Sequence, residues 1–451
     1  MKKYLSFTIT SFLLAGGTMA QSINMEKILP YPIQQKKLAN GLNVVTVPYN
    51  SPGLAAFYIV VRAGSRDEVE PGKTGFAHFF EHVMFRGTEK YSSHQYSEIL
   101  KSTGASANAN TSLDRTVYHM TGNAAKLETM FELEADRFQH LKYSVQDFKT
   151  EAGAVKGEYT KNFASPYSQL NEKVAETAFT SHTYAHTTMG YLKDIVDMPN
   201  QYEYSLEFFN RFYRPEYATI IVVGDVTAAK VDALAEKYFG MWKRGDYVSK
   251  VGAEPAQTET RYVHIQKEGF PPFLDLNFKG PAFSDTKKDG AALDILVSML
   301  FSEKSPIYRK LVLDEQKVRS LNGSAGYMTR DPYLFSITSS VVKADDMQYV
   351  KDEIMKVLEE ARQKKQDQKL LDETKERMKY GFMMETDTPS AIAEALAYSV
   401  WLSADPESIN RLYAMYDSIT VDDLQEIANK YFTTSGLTVA TISPSADNTV
   451  K

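Results

Sequence analysis

His78-Phe79-Phe80-Glu81-His82 is the stretch around which the chain is organised. Its two histidines are four residues apart, so on a helix they stand one above the other on the same face. Glu81 flanks that face, one residue from His82 and three from His78. Two neutral imidazoles and one carboxylate from elsewhere would leave a fourth tetrahedral position on Zn²⁺ for a water. Such a water has its pKa drawn towards neutrality, and Glu81 stands where it can take the proton. On spacing alone, the same five residues also suit an amphipathic helix with no metal.

The chain has 451 residues, 43% of them hydrophobic and 24% charged, as in a globular protein with a substantial core. The formal net charge is −6 and there is no basic block, which argues against nucleic acid as a partner. At the N-terminus Lys2 and Lys3 precede a short apolar run at 4–14, followed by Gly16-Gly17-Thr18-Met19-Ala20. This reads as a secretory signal peptide at 1–20, cut before Gln21, and predicts an exported, periplasmic location with no stable membrane anchor. Loss of Lys2 and Lys3 would bring the charge to about −8. Cysteine is absent, so core packing and bound ligands must supply the stability that disulfides give other exported proteins.

Hydrophobic periodicity and turn residues divide the chain. Asn40-Gly41 marks a turn. Strands are expected at 42–48 and 55–63, a helix carrying the motif at 74–85, and a helix at 92–102. An extended pair at 106–111 and 115–121 lies near a sheet edge. Helices follow at 126–141, 145–160 (despite Gly153 and Gly157), 200–213 and 226–242, with a buried strand at 217–223. Gly72-Lys73-Thr74 is not a phosphate loop, because Asp67 stands where that motif needs glycine.

Residues 243–260 have no apolar period, and the main boundary falls there. The predicted organisation is a metal-binding half at 21–248, a linker at 249–260 and a related, metal-free half at 261–451. The second half repeats the first in outline, with strands at 261–266, 273–278, 333–341 and 436–443. Its helices are expected at 287–302, 345–364 and within 368–431. The match brings Leu293, Leu296 and Val297 opposite His78, Glu81 and His82.

A third ligand is needed. Glu151 and Glu158 are seven residues apart, nearly two helical turns, so both face one way. One ligand with one orienting partner fits that face, and so does a solvated acidic face.

Here the chain resembles the pitrilysin/insulinase family of zinc peptidases, the inverzincins, and most of all its processing-peptidase-type members. The likeness runs through Asn40-Gly41-Leu42, Ala63-Gly64-Ser65-Arg66 with Glu68, and Gly75 to Thr88 around the motif. It continues with Asn108-Ala109 and Thr111, Glu151, Glu158, Phe212-Tyr213-Arg214-Pro215 and Val222-Val223-Gly224-Asp225. The resemblance implies that His78, His82 and Glu158, the last 76 positions after His82, bind one Zn²⁺. It implies Glu81 as the catalytic base and Glu151 as a supporting acid. It also implies an α+β fold of two related halves, each a mostly antiparallel sheet packed with helices, facing each other across a chamber.

Family members lay a peptide substrate along a sheet edge, which by resemblance is the strand with Asn108 and Ala109. The chain departs from the pattern in its second half. Where single-chain members carry an arginine and, seven residues on, a tyrosine, this sequence has Val312 and Arg319, with Tyr308 and Arg309 out of register. The expectation is therefore a catalytic subunit whose homologous partner supplies the arginine-tyrosine pair. A non-enzymatic assembly or peptide-binding subunit is the alternative. His182 and His186 share the four-residue spacing but lie in a predicted loop, as rivals for metal that loop contacts explain better.

Overall fold

The computed structural model describes residues 27–451, so the signal-peptide reading lies outside the described residues. The first half is built on a sheet of β1 (Gln34–Lys37), β2 (Asn43–Pro48), β3 (Leu54–Val61), β4 (Ser106–Thr111), β5 (Thr116–Asn123) and β6 (Ala218–Gly224). The second is built on β7 (Arg261–Gln266), β8 (Phe273–Lys279), β9 (Val318–Ser324), β10 (Leu334–Val341) and β11 (Leu437–Ser443). The spatial orders are β1-β2-β6-β3-β5-β4 and β7-β11-β8-β10-β9. With β1 set aside, the two orders superimpose strand for strand. Each sheet is antiparallel except for one parallel pair, β2 with β6 and β7 with β11.

The central strands are buried on both faces, and their sequences show it. In β3, Leu54 alone is exposed, and the remaining residues are apolar and buried. One face of each sheet carries helices of its own half. The other face carries a helix on loan. Helix Pro389–Ser403 comes from the second half yet packs on β3 and β6 of the first. Helix Pro166–Ala178 comes from the first half yet packs on β7 and β11 of the second. The larger core accordingly mixes Val45, Tyr58, Val60 and Ile221 with Ile392, Leu396 and Val400. Helix Pro166–Ala178 and strand β9 were not among the expected elements. The helix shows a clear signal in retrospect, since Pro166 occupies its first turn, where a missing N–H costs nothing.

Two boundaries moved for physical reasons. The motif helix starts at Phe76, not at 74, because Gly75 has φ +89°. Helix Val145–Phe163 runs straight through Gly153 and Gly157, which lie on its open side while Phe148, Ala152, Val155 and Tyr159 face the core.

A buried polar cluster ties the halves together. Arg66 Nε donates to Asp331 Oδ2 at 2.5 Å, and His182 Nε2 lies 3.1 Å from the same oxygen. Tyr184 donates to Asp114 at 2.8 Å, and the Arg330 backbone N–H donates to the other Asp114 oxygen at 3.0 Å. The conspicuous pair His182 and His186 thus flanks the short 3₁₀ turn Thr183–Ala185 on either side, with His182 spent on this contact.

Candidate metal centre

The motif helix Phe76–Val83 has no side-chain cap of its own. Glu68 replaces it: one carboxylate oxygen accepts from Gly75 N at 2.8 Å and the other from Ala77 N at 2.7 Å. A carboxylate at a helix N-terminus satisfies orphan N–H groups and suits the helix dipole. Burial pushes the Glu68 pKa up to about 8 against the pull of those N–H groups. Thr74 fixes the approach, donating to Asp194 at 2.7 Å and accepting from Tyr191 N at 2.8 Å. Gly75 suits the position through its left-handed φ of +89°, which L side chains rarely adopt.

The apolar face of the same helix sets its distance from the helix that carries the acids. Phe79 packs edge-on against Phe148 with centroids 5.0 Å apart, and Phe80 stacks on Phe208 at 5.2 Å. Each buried phenylalanine contributes about 2–3 kcal/mol of transfer free energy. Tyr118 donates to the Phe80 carbonyl at 3.0 Å and meets the Tyr213 hydroxyl at 2.7 Å, which holds the helix to β5.

Packing of this kind brings the three expected ligands together. Glu158 Oε2 is 3.5 Å from His78 Nε2 and 3.4 Å from His82 Nε2. One ligand atom from each of the three residues lies within 4.8 Å of the others. Ligand bonds of about 2.0–2.1 Å in a tetrahedron put ligand atoms roughly 3.3 Å apart, so the spacing fits Zn²⁺. His78 Nδ1 is buried without a hydrogen-bond partner, and burial, then His82, lowers the His78 pKa. That favours the neutral imidazole, the form that coordinates metal. Glu151 is buried and lies 3.6 Å from His82 Nδ1, with Arg86 pairing to its other oxygen. It is placed to orient the His82 ring.

Glu81, next to His82 on the same helix, is held by the edge strand. Its Oε2 accepts from the Thr111 hydroxyl at 2.6 Å. Thr111 ends β4, the edge strand of the sheet. Along β4 the side chains alternate, with Asn108 exposed and Ala109 buried against the motif helix. Thr111, Glu68 and Arg86 were part of the quoted resemblance without an assigned task, and their contacts now supply one.

The second half has no counterpart. Helix Asp289–Phe301 occupies the place of the motif helix, following β8 as the motif helix follows β3. Leu293, Leu296 and Val297 are all buried in its apolar core. Val312 packs against that core and Arg319 lies exposed on β9, donating to the Val341 carbonyl.

Comparison with known proteins finds likeness over nearly the whole chain. A family model described as Insulinase (Peptidase family M16) matches residues 44–191, and one described as Peptidase M16 inactive domain matches residues 201–378. Zinc protease PqqE of Helicobacter pylori is 29% identical over 445 residues, covering 97% of this chain and 98% of that protein. The crystal structure of a protease from Helicobacter pylori has a TM-score of 0.84 at 28% identity, covering 92% of this chain and 100% of that one. A probable mitochondrial-processing peptidase subunit beta of Arabidopsis thaliana is 22% identical over 423 residues, covering 91% of this chain and 78% of that protein. With both halves matched and the two-sheet architecture shared, the chain belongs to the pitrilysin/insulinase family, peptidase family M16.

Proposed function

We propose that this chain is a zinc-dependent endopeptidase that hydrolyses short or unfolded peptides after export. The observation that carries this reading is the convergence of His78, His82 and Glu158 with Glu81 beside them. His78, His82 and Glu158 would hold the ion, which when bound supplies an electrophile for the scissile carbonyl and acidifies a water. Glu81 takes the proton of the attacking water and later gives it to the leaving amine. Thr111 engages one Glu81 oxygen, so the other is available for that proton. The free edge of β4 would receive the peptide as an added strand, with Asn108 and Ala109 in contact with it. No helix among the described residues is long and apolar enough to cross a membrane.

On this reading 21–248 is the metal-binding half, 249–260 the linker and 261–451 the metal-free half. The absence of an arginine-tyrosine pair at Val312 and Arg319 supports a heteromer in which a homologous subunit supplies it. The test is hydrolysis of unstructured fluorogenic peptides by the zinc-loaded chain, alone and with its candidate partner. Full activity of the isolated chain would remove the partner from the account, and a chain that purifies without stoichiometric zinc would favour a peptide-binding scaffold.

A further inference from the structure

The two imidazoles of the metal centre are held differently, and the difference begins just past the motif helix. Met84 N still donates four residues back, to Phe80 O at 3.2 Å. The turn then tightens to three-residue bonds, Phe85 N to His82 O at 3.1 Å and Arg86 N to Val83 O at 2.9 Å. Gly87, at φ +121°, breaks the helix, and its carbonyl accepts from Lys142 N at 3.3 Å. Arg86 is thus fixed about one turn after His82, with its backbone pinned on both sides.

From there its guanidinium pairs with Glu151 Oε1, while Glu151 Oε2 lies 3.6 Å from His82 Nδ1. Glu151 is buried, and among the described residues no other basic group pairs with it. Asp147, one turn earlier on the same helix, also feels Arg86, but its Oδ2 is taken by the Ser144 N–H and hydroxyl at 3.0 and 2.7 Å. Arg86, Glu151 and His82 therefore form one chain of contacts. His78 has no such chain behind it: its Nδ1 is buried and meets no partner among the described residues. A neutral imidazole carries its proton on one nitrogen and can bind a metal only through the other. A carboxylate facing Nδ1 keeps the proton there and leaves Nε2, 3.4 Å from Glu158, free for the ion. That carboxylate can do so only if its own rotation is stopped, and a guanidinium on its far oxygen stops it.

We propose that Arg86 is a positioning residue that acts through Glu151 to set the His82 ring for zinc before the ion arrives, whereas His78 is ordered only by the ion itself. This rests on His82 being a zinc ligand, as in the peptidase reading, and needs no turnover to test. The first measurement is the imidazole ¹H–¹⁵N spectrum of the zinc-free chain at mildly alkaline pH, assigned with His78→Gln and His82→Gln. His82 should show the single tautomer protonated on Nδ1 and His78 a mixture. Arg86→Gln should turn the His82 pattern into a mixture and leave that of His78 unchanged. The second measurement is zinc affinity in competition with a fluorescent chelator. Arg86→Gln should weaken it roughly 10- to 100-fold, and Arg86→Lys, which keeps the charge, should recover part of the loss. In a chain already carrying Glu151→Gln, the Arg86→Gln change should cost nothing more, because both act on one chain of contacts. An unchanged affinity, a loss that adds to that of Glu151→Gln, or a His82 ring already mixed in the wild-type chain overturns the proposal. A wild-type chain that takes up no zinc removes the metal reading instead, and the His82 spectrum still decides for or against Arg86.

Discussion

The motif helix and its counterpart in the second half hold equivalent places in equivalent sheets, yet one presents a polar face braced by its neighbours and the other only packs. His78, Glu81 and His82 correspond to Leu293, Leu296 and Val297. The difference extends past three side chains. The first helix is braced from outside by Glu68 at its N-terminus and by Thr111 and Glu151 around its polar face. The second carries its own Asp289 in the first turn, held by Lys430 and Tyr431, and sinks most of its side chains into one apolar cluster. A duplicated frame tolerates a polar face only where neighbouring elements supply partners for it, since an unpaired polar group in such a place costs kilocalories.

That contrast can be broken from either side. Glu81→Gln should keep stoichiometric zinc but lower turnover about 10³-fold, the share expected of a general base; metal analysis beside kcat checks it, and a normal rate would exclude Glu81 as the base. In the mirror position, Leu293→His should bind no zinc and destabilise the chain by about 3 kcal/mol, read from chemical denaturation. Glu151→Gln should weaken zinc binding roughly 10- to 100-fold in a chelator competition while leaving the fold intact. Glu68→Ala should cost about 1–2 kcal/mol of stability by uncapping the motif helix, read from chemical denaturation.

The smallest effect concerns the clasp between the halves. His182 foremost, then Arg66, holds the Asp331 carboxyl well below the usual carboxylate range, against the opposing effect of burial. Its charged form therefore stabilises the folded chain above the ordinary value of 3.8, and the contribution fades as pH falls below it. Asp331→Asn should lower stability at neutral pH and flatten this part of the acid limb. An unchanged acid profile would mean that the clasp adds nothing.

Much of this was legible in the residues. The strands at 42–48, 55–63 and 217–223 and the helices at 126–141 and 200–213 are strongly periodic, and all were found within a few positions. The spacing of His78, Glu81 and His82 marks a candidate metal face locally, because one helix presents all three. Glu158 was different. Its approach to the histidines depends on Phe79 meeting Phe148, a contact between elements that no local pattern encodes, and only family likeness points to it. Helix Pro166–Ala178 was passed over although its sequence is ordinary, and nothing in it says which sheet it covers. The work of Thr111 was also hidden, since a threonine that ends a strand looks the same whether or not a carboxylate lies above it.

The exchanged helices constrain how the two halves can move apart. Pro389–Ser403 stays with the first sheet and Pro166–Ala178 with the second, so a simple swing about 243–260 would strip both from their seats. Opening must instead slide each sheet beneath a helix tethered to the opposite side, or carry helix and sheet together as one body. Cutting the chain within 243–260 should accordingly yield two fragments that stay clasped, each still wearing a piece of the other.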